Sequence, residues 1–316
     1  MDYVSCPLLY RFRCVDRLPE PPSRAATRGT LVHAVLEQMF DLPAKQRTLP
    51  IAMSLLPGAW AELLRVDPDL IEMFLAVAPA DVGDASAGDT SPGDTPVADK
   101  VGDKVAGELL PSQQEWLAGA EKLLGTYFKL EDPTRLEPAE REVLVTAELE
   151  GGLVLRGYID RLDVAPATGD VRVVDYKTGR APAPGWEAKP MFQLKCYALA
   201  LWKRDNRVPR MLQLLYLGSA EVVRYVPTEA DLQATERKLI AIWQAVSRAY
   251  DSGDWRPNKS RLCDWCAHKS LCPAWGGTPP PLPSVPVAAK SGPRSARGPA
   301  EPAVEQPSPR APLDEI

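Results

Sequence analysis

No apolar run in this sequence approaches the ~18–20 residues needed to cross a bilayer. Met1 is not followed by the apolar stretch of a signal peptide, so the expected location is the cytoplasm, with no membrane partner. A G-x-x-x-x-G-K-[ST] loop is also missing. The lysine in Asp175-Tyr176-Lys177-Thr178-Gly179 has no glycine-rich segment before it, which argues against an ATP-driven motor in the same chain. Histidine is scarce, with two residues in 316, and the net charge is −5 rather than positive. That acidity is local: residues 79–108 carry seven acids against two lysines, and residues 277–316 carry four of each sign. The rest is near neutral, so the overall charge does not exclude a nucleic-acid partner.

What is present is unevenly distributed. The 33 prolines crowd the C-terminus, eleven of them within the last forty residues, and residues 277–316 read as a disordered tail. Gly83-Asp84, Gly88-Asp89 and Gly93-Asp94 recur every five residues. Such small, acidic repeats have nothing to bury, so 79–108 reads as a disordered insert. Residues 1–78 form an N-terminal helical part. In it, Leu31, Val32, Val35, Leu36 and Met39 follow a 3.6-residue period, and helical patterning returns at about 51–78. A folded core occupies 109–253. It starts with a helix at about 111–130, and alternating strands follow at 141–149 and 153–164, with an apolar strand at 171–176. A helix at about 187–205, strands near 211–217 and 221–226, and a helix from Thr228 to about 251 complete it. Thr228 and Asp231 form a capping box with a short acid at its start. The expected architecture is α/β, a mixed central sheet flanked by helices.

Two neighbouring strands concentrate carboxylates. Asp160 lies in Gly157-Tyr158-Ile159-Asp160-Arg161; Asp175 and Lys177 lie in Val174-Asp175-Tyr176-Lys177. Strand side chains alternate, so Asp175 and Lys177 share a face with Tyr176 opposite, and a tight turn lets Asp160 approach Asp175 across the ladder. Two carboxylates with a backbone carbonyl are hard donors suited to Mg2+ or Mn2+, and a lysine beside them can steady charge developing on a phosphate. Asp163 reads as structural. Glu37, four residues after His33 on one helix face, is either a partner of that histidine or a solvated acid.

Of the six cysteines, Cys263, Cys266 and Cys272 cluster in residues 254–276 as C-x2-C-x5-C. In a reducing compartment such a set reads as metal binding rather than as a disulfide framework. His268 between them would complete a Cys3His zinc site, and Cys6, at the far end of the chain, would complete a four-thiolate site. Cys14 and Cys196 sit among apolar residues and read as packed thiols.

Taken in order, these motifs resemble the PD-(D/E)XK nuclease superfamily, specifically its RecB-like branch. The likeness covers roughly residues 3–40 and 140–275. Gly29-Thr30-Leu31-Val32-His33 resembles the first motif, the Gly157–Arg161 strand the second, the Val174–Gly179 segment the third, and Gln193-Leu194-Lys195-Cys196-Tyr197 the Q-x-x-x-Y helix. The resemblance implies a restriction-endonuclease-like core. It makes Asp160, Asp175 and Lys177 catalytic, and His33, Asp160, Asp175 and the Tyr176 carbonyl metal ligands. Gln193 and Tyr197 become residues that contact DNA and support the site. Cluster-containing members, including CRISPR-associated exonucleases, carry one cysteine before the core and three after it. By that likeness Cys6, Cys263, Cys266 and Cys272 hold a [4Fe–4S] cluster that joins the two ends of the chain. Members generally have a short strand or turn before the first cysteine, whereas this sequence starts five residues ahead of Cys6, so its natural start is expected upstream.

The expected activity is that of a metal-dependent DNA exonuclease acting on single-stranded ends in repair and recombination, fed by a separate helicase or other repair proteins. CRISPR adaptation is a narrower variant, and a non-catalytic DNA-binding subunit of the same fold is the alternative. Trp255, Arg256, Lys259, Arg261, Trp265 and Lys269 are candidates for gripping DNA, although the tryptophans would serve equally as an apolar coat for the cluster.

Overall fold

The computed structural model describes residues 2–75, 110–183 and 188–283. The acidic repeat expected at 79–108 and the tail beyond 283 lie outside the described residues. Among those described, helix α1 (Arg24–Met39) starts where the Ser23 side chain accepts the Ala26 N–H. It is followed by α2 (Leu49–Val66) and α3 (Pro111–Leu130). Strands β1 (Glu140–Leu149), β2 (Leu153–Val164) and β3 (Val171–Lys177) come next. Helix α4 (Ala188–Asp205) crosses to β4 (Met211–Tyr216), which pairs with β5 (Glu221–Tyr225). Helix α5 (Glu229–Ser252) opens with the expected Thr228/Asp231 capping box and stops at Gly253.

The sheet order is β1-β2-β3-β4-β5. All neighbours are antiparallel except β3 and β4, whose parallel pairing requires the α4 crossover. β1 and β2 join through Glu150-Gly151-Gly152, where both glycines hold positive φ (81° and 76°), a conformation that costs glycine little. Strand alternation divides the core between the two faces of the sheet. Val174, Tyr176 and Leu215 pack against α1, α2 and α3; Val173, Leu212 and Leu214 pack against α4 and Leu232 of α5. This is the mixed α/β architecture that the periodicities implied.

Two expectations need correction. α2 is long and apolar enough, by length and composition, to cross a membrane, because its alanines and leucines continue around the helix beyond the buried Ala52, Leu56, Ala59 and Trp60. In this fold that stripe packs into the helical layer. The first residues of the proline-rich segment, 277–283, are held in place: the Arg11 guanidinium donates to the Pro280 carbonyl, and the Tyr250 hydroxyl donates to the Pro283 carbonyl at 3.0 Å. The proline-rich composition gives those residues little of their own to bury, but the N-terminal segment and α5 supply the surface.

One polar knot joins the helical layer to the sheet. Arg161 is fully buried. Its guanidinium reaches both Glu131 oxygens (2.8 and 3.0 Å), Asp163 (3.2 Å) and the Tyr176 hydroxyl (2.9 Å). Removing one partner of a buried ion network strands the others. Arg161→Met should therefore cost about 3–5 kcal/mol of stability, measured by urea denaturation. Glu131→Gln in the same chain should recover part of that loss, and full stability in Arg161→Met alone would refute this account.

Candidate active site

The β2–β3 ladder ends at the Arg161–Val174 pair. Beyond it the strands part, and Asp160 is not paired with Asp175. The Asp160 carboxylate instead accepts the Tyr176 backbone N–H at 2.7 Å. From α1, His33 Nε2 lies 3.0 Å from the carbonyl oxygen of the same Tyr176. One residue of β3 is thus clamped from both sides. His33 Nδ1 faces Asp160 Oδ2 at 3.5 Å and Glu142 Oε1 at 3.9 Å. Ligand atoms from His33, Glu142 and Asp160 all lie within 4.8 Å of one another, a donor set that fits a hard divalent cation.

Glu142 was absent from the sequence-derived site. On β1 it falls between the Arg141–Arg161 and Val143–Ile159 pairs, directly opposite Asp160, with φ at +43°. No signal within its own strand marks it; the pairing register of the folded hairpin alone places it across from the Gly-x-x-Asp aspartate. Asp175 lies outside this trio. It is buried, and its Oδ2 sits 2.6 Å from Lys177 Nζ. Lys177 also donates to Gln193 Oε1 at 3.0 Å, and Gln193 Nε2 donates to the Tyr197 hydroxyl at 2.6 Å. Lys177, Gln193 and Tyr197 therefore form one hydrogen-bonded chain. Tyr197 also closes over β2, where a Cβ on Gly157 would fall 2.5 Å from its ring; only glycine leaves that space. The Tyr176 carbonyl, expected as a ligand, is the hydrogen-bond partner of His33. Glu37 is not among His33's partners in the described residues; its own carbonyl accepts from Arg141. Asp163 is structural, paired with Arg161 and Arg172.

The crowded carboxylates perturb one another. Burial, then the charge of Asp160, pushes Glu142 up to about 7. Burial and Asp160 likewise raise Asp175 against the opposing pull of Lys177. For His33, burial favours the neutral ring, but Asp160, Asp175 and Glu142 outweigh it and raise its pKa to about 9. This surplus of negative charge is what a cation would neutralise.

The thiols also converge. Cys6, Cys263, Cys266 and Cys272 line a single cavity together with Phe12, His268, Lys269 and Trp275. The Asn258 N–H donates to Cys6 Sγ and the Ser260 N–H to Cys263 Sγ, each at 3.4 Å. A single zinc at about 2.3 Å from each sulfur would draw any two sulfurs to about 3.8 Å. Among the described residues no three cysteines bring their sulfurs within 4.8 Å of one another, so a compact zinc site is not preformed. His268 is buried with Nε2 3.0 Å from Glu20. Trp255 is buried too, stacked on Tyr10. Trp265 is 80% exposed. Burial pushes the Cys14 thiol up and Cys196 up to about 12, as expected of packed cysteines.

A mixed sheet whose strands part around hard oxygen and imidazole donors, with a lysine held beside them, is an arrangement suited to a nuclease. The chain belongs to the PD-(D/E)XK nuclease superfamily, whose family model matches residues 1–273. It is 22% identical over 284 residues to the Gene 69 protein of Mycobacterium phage L5, covering 87% of this chain and 94% of that one. Among solved structures it is similar to a protein provisionally named an exonuclease from Eubacterium rectale (14% identity, 83% of this chain and 80% of that one, TM-score 0.46). It is also similar to SSO0001 (21% identity, 51% and 71%, TM-score 0.33).

Groups whose folded pKa is raised stabilise the protein below their unfolded values and lose that contribution as pH climbs through the folded ones. For Glu142 the loss runs up to about 7, and for His33 up to about 9. In EDTA the melting temperature should therefore fall between pH 6 and 9. Mn2+ at a hundredfold excess over its Kd should restore about 2.7 kcal/mol. A Glu142→Gln/Asp160→Asn chain should lose both effects in calorimetry, and an unchanged pH profile in that chain would count against the trio.

Proposed function

We propose that this protein is a metal-dependent DNA exonuclease that hydrolyses phosphodiesters at single-stranded ends, in repair or recombination. The observation that carries the reading is the His33/Glu142/Asp160 trio placed beside the Asp175–Lys177 pair. A divalent cation at the trio would supply Lewis acidity and lower the pKa of water. The remaining work belongs to side chains. Gln193 holds the Lys177 ammonium by accepting a hydrogen bond from it at Oε1, and Tyr197 fixes Gln193 by accepting from its Nε2. Lys177 is thereby aimed to hydrogen-bond a phosphate oxygen as charge develops on it. Asp175 ion-pairs with that lysine at 2.6 Å, and the Tyr176 clamp fixes Asp160 and His33 relative to each other. DNA is the partner, with a helicase or other repair protein presenting the strand.

The four cysteines that line one cavity are the proposed ligands of a [4Fe–4S] cluster. Four thiolates suit such a cluster, and closing the chain ends through it would turn binding energy into folding energy. His268 is engaged with Glu20, which weakens the zinc alternative.

Labelled single- and double-stranded DNA, incubated with Mg2+, Mn2+ or EDTA, tests the activity. Asp160→Ala, Asp175→Ala and Lys177→Ala should each lose at least about 100-fold in rate, the scale seen for removing an electrostatic group at a reacting centre, while keeping the parent circular dichroism. Degradation that persists in all three would refute the catalytic assignment. Separately, anaerobic purification should give a brown protein with iron and acid-labile sulfide; a colourless, zinc-loaded protein would refute the cluster.

A further inference from the structure

The two faces of the β1–β2 hairpin differ. Val145, Ala147, Leu149 and Ile159 are buried in the core shared with α4. The opposite face begins at the site itself, with Glu142 across from Asp160. From there the register runs outward through Leu144–Tyr158, then Thr146–Arg156, then Glu148–Val154. Apart from Glu142 and Asp160, this face is open to solvent. Tyr158 is 41% exposed, Leu144 37% and Val154 57%. Leu144 and Tyr158 are paired neighbours, and apolar groups exposed side by side, unlike singly scattered ones, point to a contact surface.

Two of these residues have no internal task. Among the described residues, neither the Tyr158 hydroxyl or ring nor the Arg156 guanidinium makes a hydrogen bond, ion pair or ring contact, whereas most other arginines on the sheet are engaged: Arg141, Arg161, Arg172 and Arg224 all pair internally. The spacing is informative as well. Tyr158 lies one two-residue step from Asp160 and Arg156 lies two, each step being about 6.8 Å of strand, roughly the length of one unstacked nucleotide. An aromatic ring and then a free cation, at successive nucleotide intervals from a hydrolytic centre, match what a single strand offers: a base to stack and a phosphate to neutralise. A double helix has no unstacked base to place on the ring.

We propose that this hairpin face is the track for the single-stranded substrate, with Tyr158 stacking the base next to the scissile linkage, Leu144 packing beside it, and Arg156 binding a phosphate one step further out. The Glu148–Val154 pair, acidic and apolar, marks where the electrostatic grip ends. The inference rests on the nuclease reading, since the strand is placed by the metal-site candidates.

The test uses the full chain carrying Asp175→Ala, with a fluorescein-labelled oligothymidine read by anisotropy. Tyr158→Ala should weaken binding about tenfold, within the range for losing one base–aromatic stack, and Tyr158→Phe should restore it. Arg156→Glu should weaken binding and lower the slope of log affinity against log salt by about one. Arg237→Glu, an exposed charge on α5, should leave binding unchanged. Equal affinities for the parent, Tyr158→Ala and Arg156→Glu would overturn the track alone if the wild-type chain cuts DNA. A parent that binds no single strand, in a protein whose wild type cuts none, would overturn both readings together.

Discussion

The site depends on a single residue being held from three directions. The Tyr176 N–H goes to Asp160, its carbonyl to His33, and its hydroxyl to the buried Arg161. The first two contacts fix the fork between β2 and β3, and with it the distance between an imidazole on one helix and a carboxylate on a strand. The third anchors that fork to Glu131 at the end of α3. Because the side chain of Tyr176 is buried on the helical face of the sheet while its peptide edge faces the site, packing of the core and placement of the donors are one event. A shift of the tyrosine ring would move the ligand atoms.

The local electrostatics follow from that geometry. Among the described residues, Glu142, Asp160 and Asp175 gather beside Lys177 and His33; burial and the charge of Asp160 raise Glu142 and Asp175, and the three carboxylates raise His33 against its burial. Such a cluster is poorly suited to folding stability, and its charge is of the kind a dication neutralises. The Lys177–Gln193–Tyr197 chain performs a different task. It ties the lysine to α4, so that the ammonium is oriented by a helix rather than by its own flexible stem. The need for Gly157 beneath Tyr197 shows how closely that helix sits on β2.

Much of this was readable before any coordinates. Strand alternation marked the hairpin and the apolar strand β3, the capping box marked α5, and short motifs marked Asp160, Asp175, Lys177, Gln193 and Tyr197, because each signal lies within one element or one turn. Glu142 was not readable. Nothing about an isolated Arg-Glu-Val triplet says that it will stand opposite Asp160 with a left-handed backbone. For Asp175, alternation placed it beside Lys177, where it lies, and the parting of the strands leaves it outside the trio of clustered donor atoms. Composition left Trp255 open as a DNA contact or as part of an apolar coat, and Tyr10, far away in sequence, stacks on it in a buried apolar cluster.

The sequence by itself determined the elements, the split of apolar residues between two faces of a sheet, and the kinds of donor available, since these depend on periodicity and side-chain chemistry alone. Only the tertiary structure decided which donors meet. Register set Glu142 against Asp160, the fork of β2 and β3 turned a peptide N–H toward a carboxylate, and the approach of both chain ends gathered Cys6 with Cys263, Cys266 and Cys272 around one cavity. Contacts between segments far apart in the chain are set by the packing of whole layers, and no local pattern of residues encodes that.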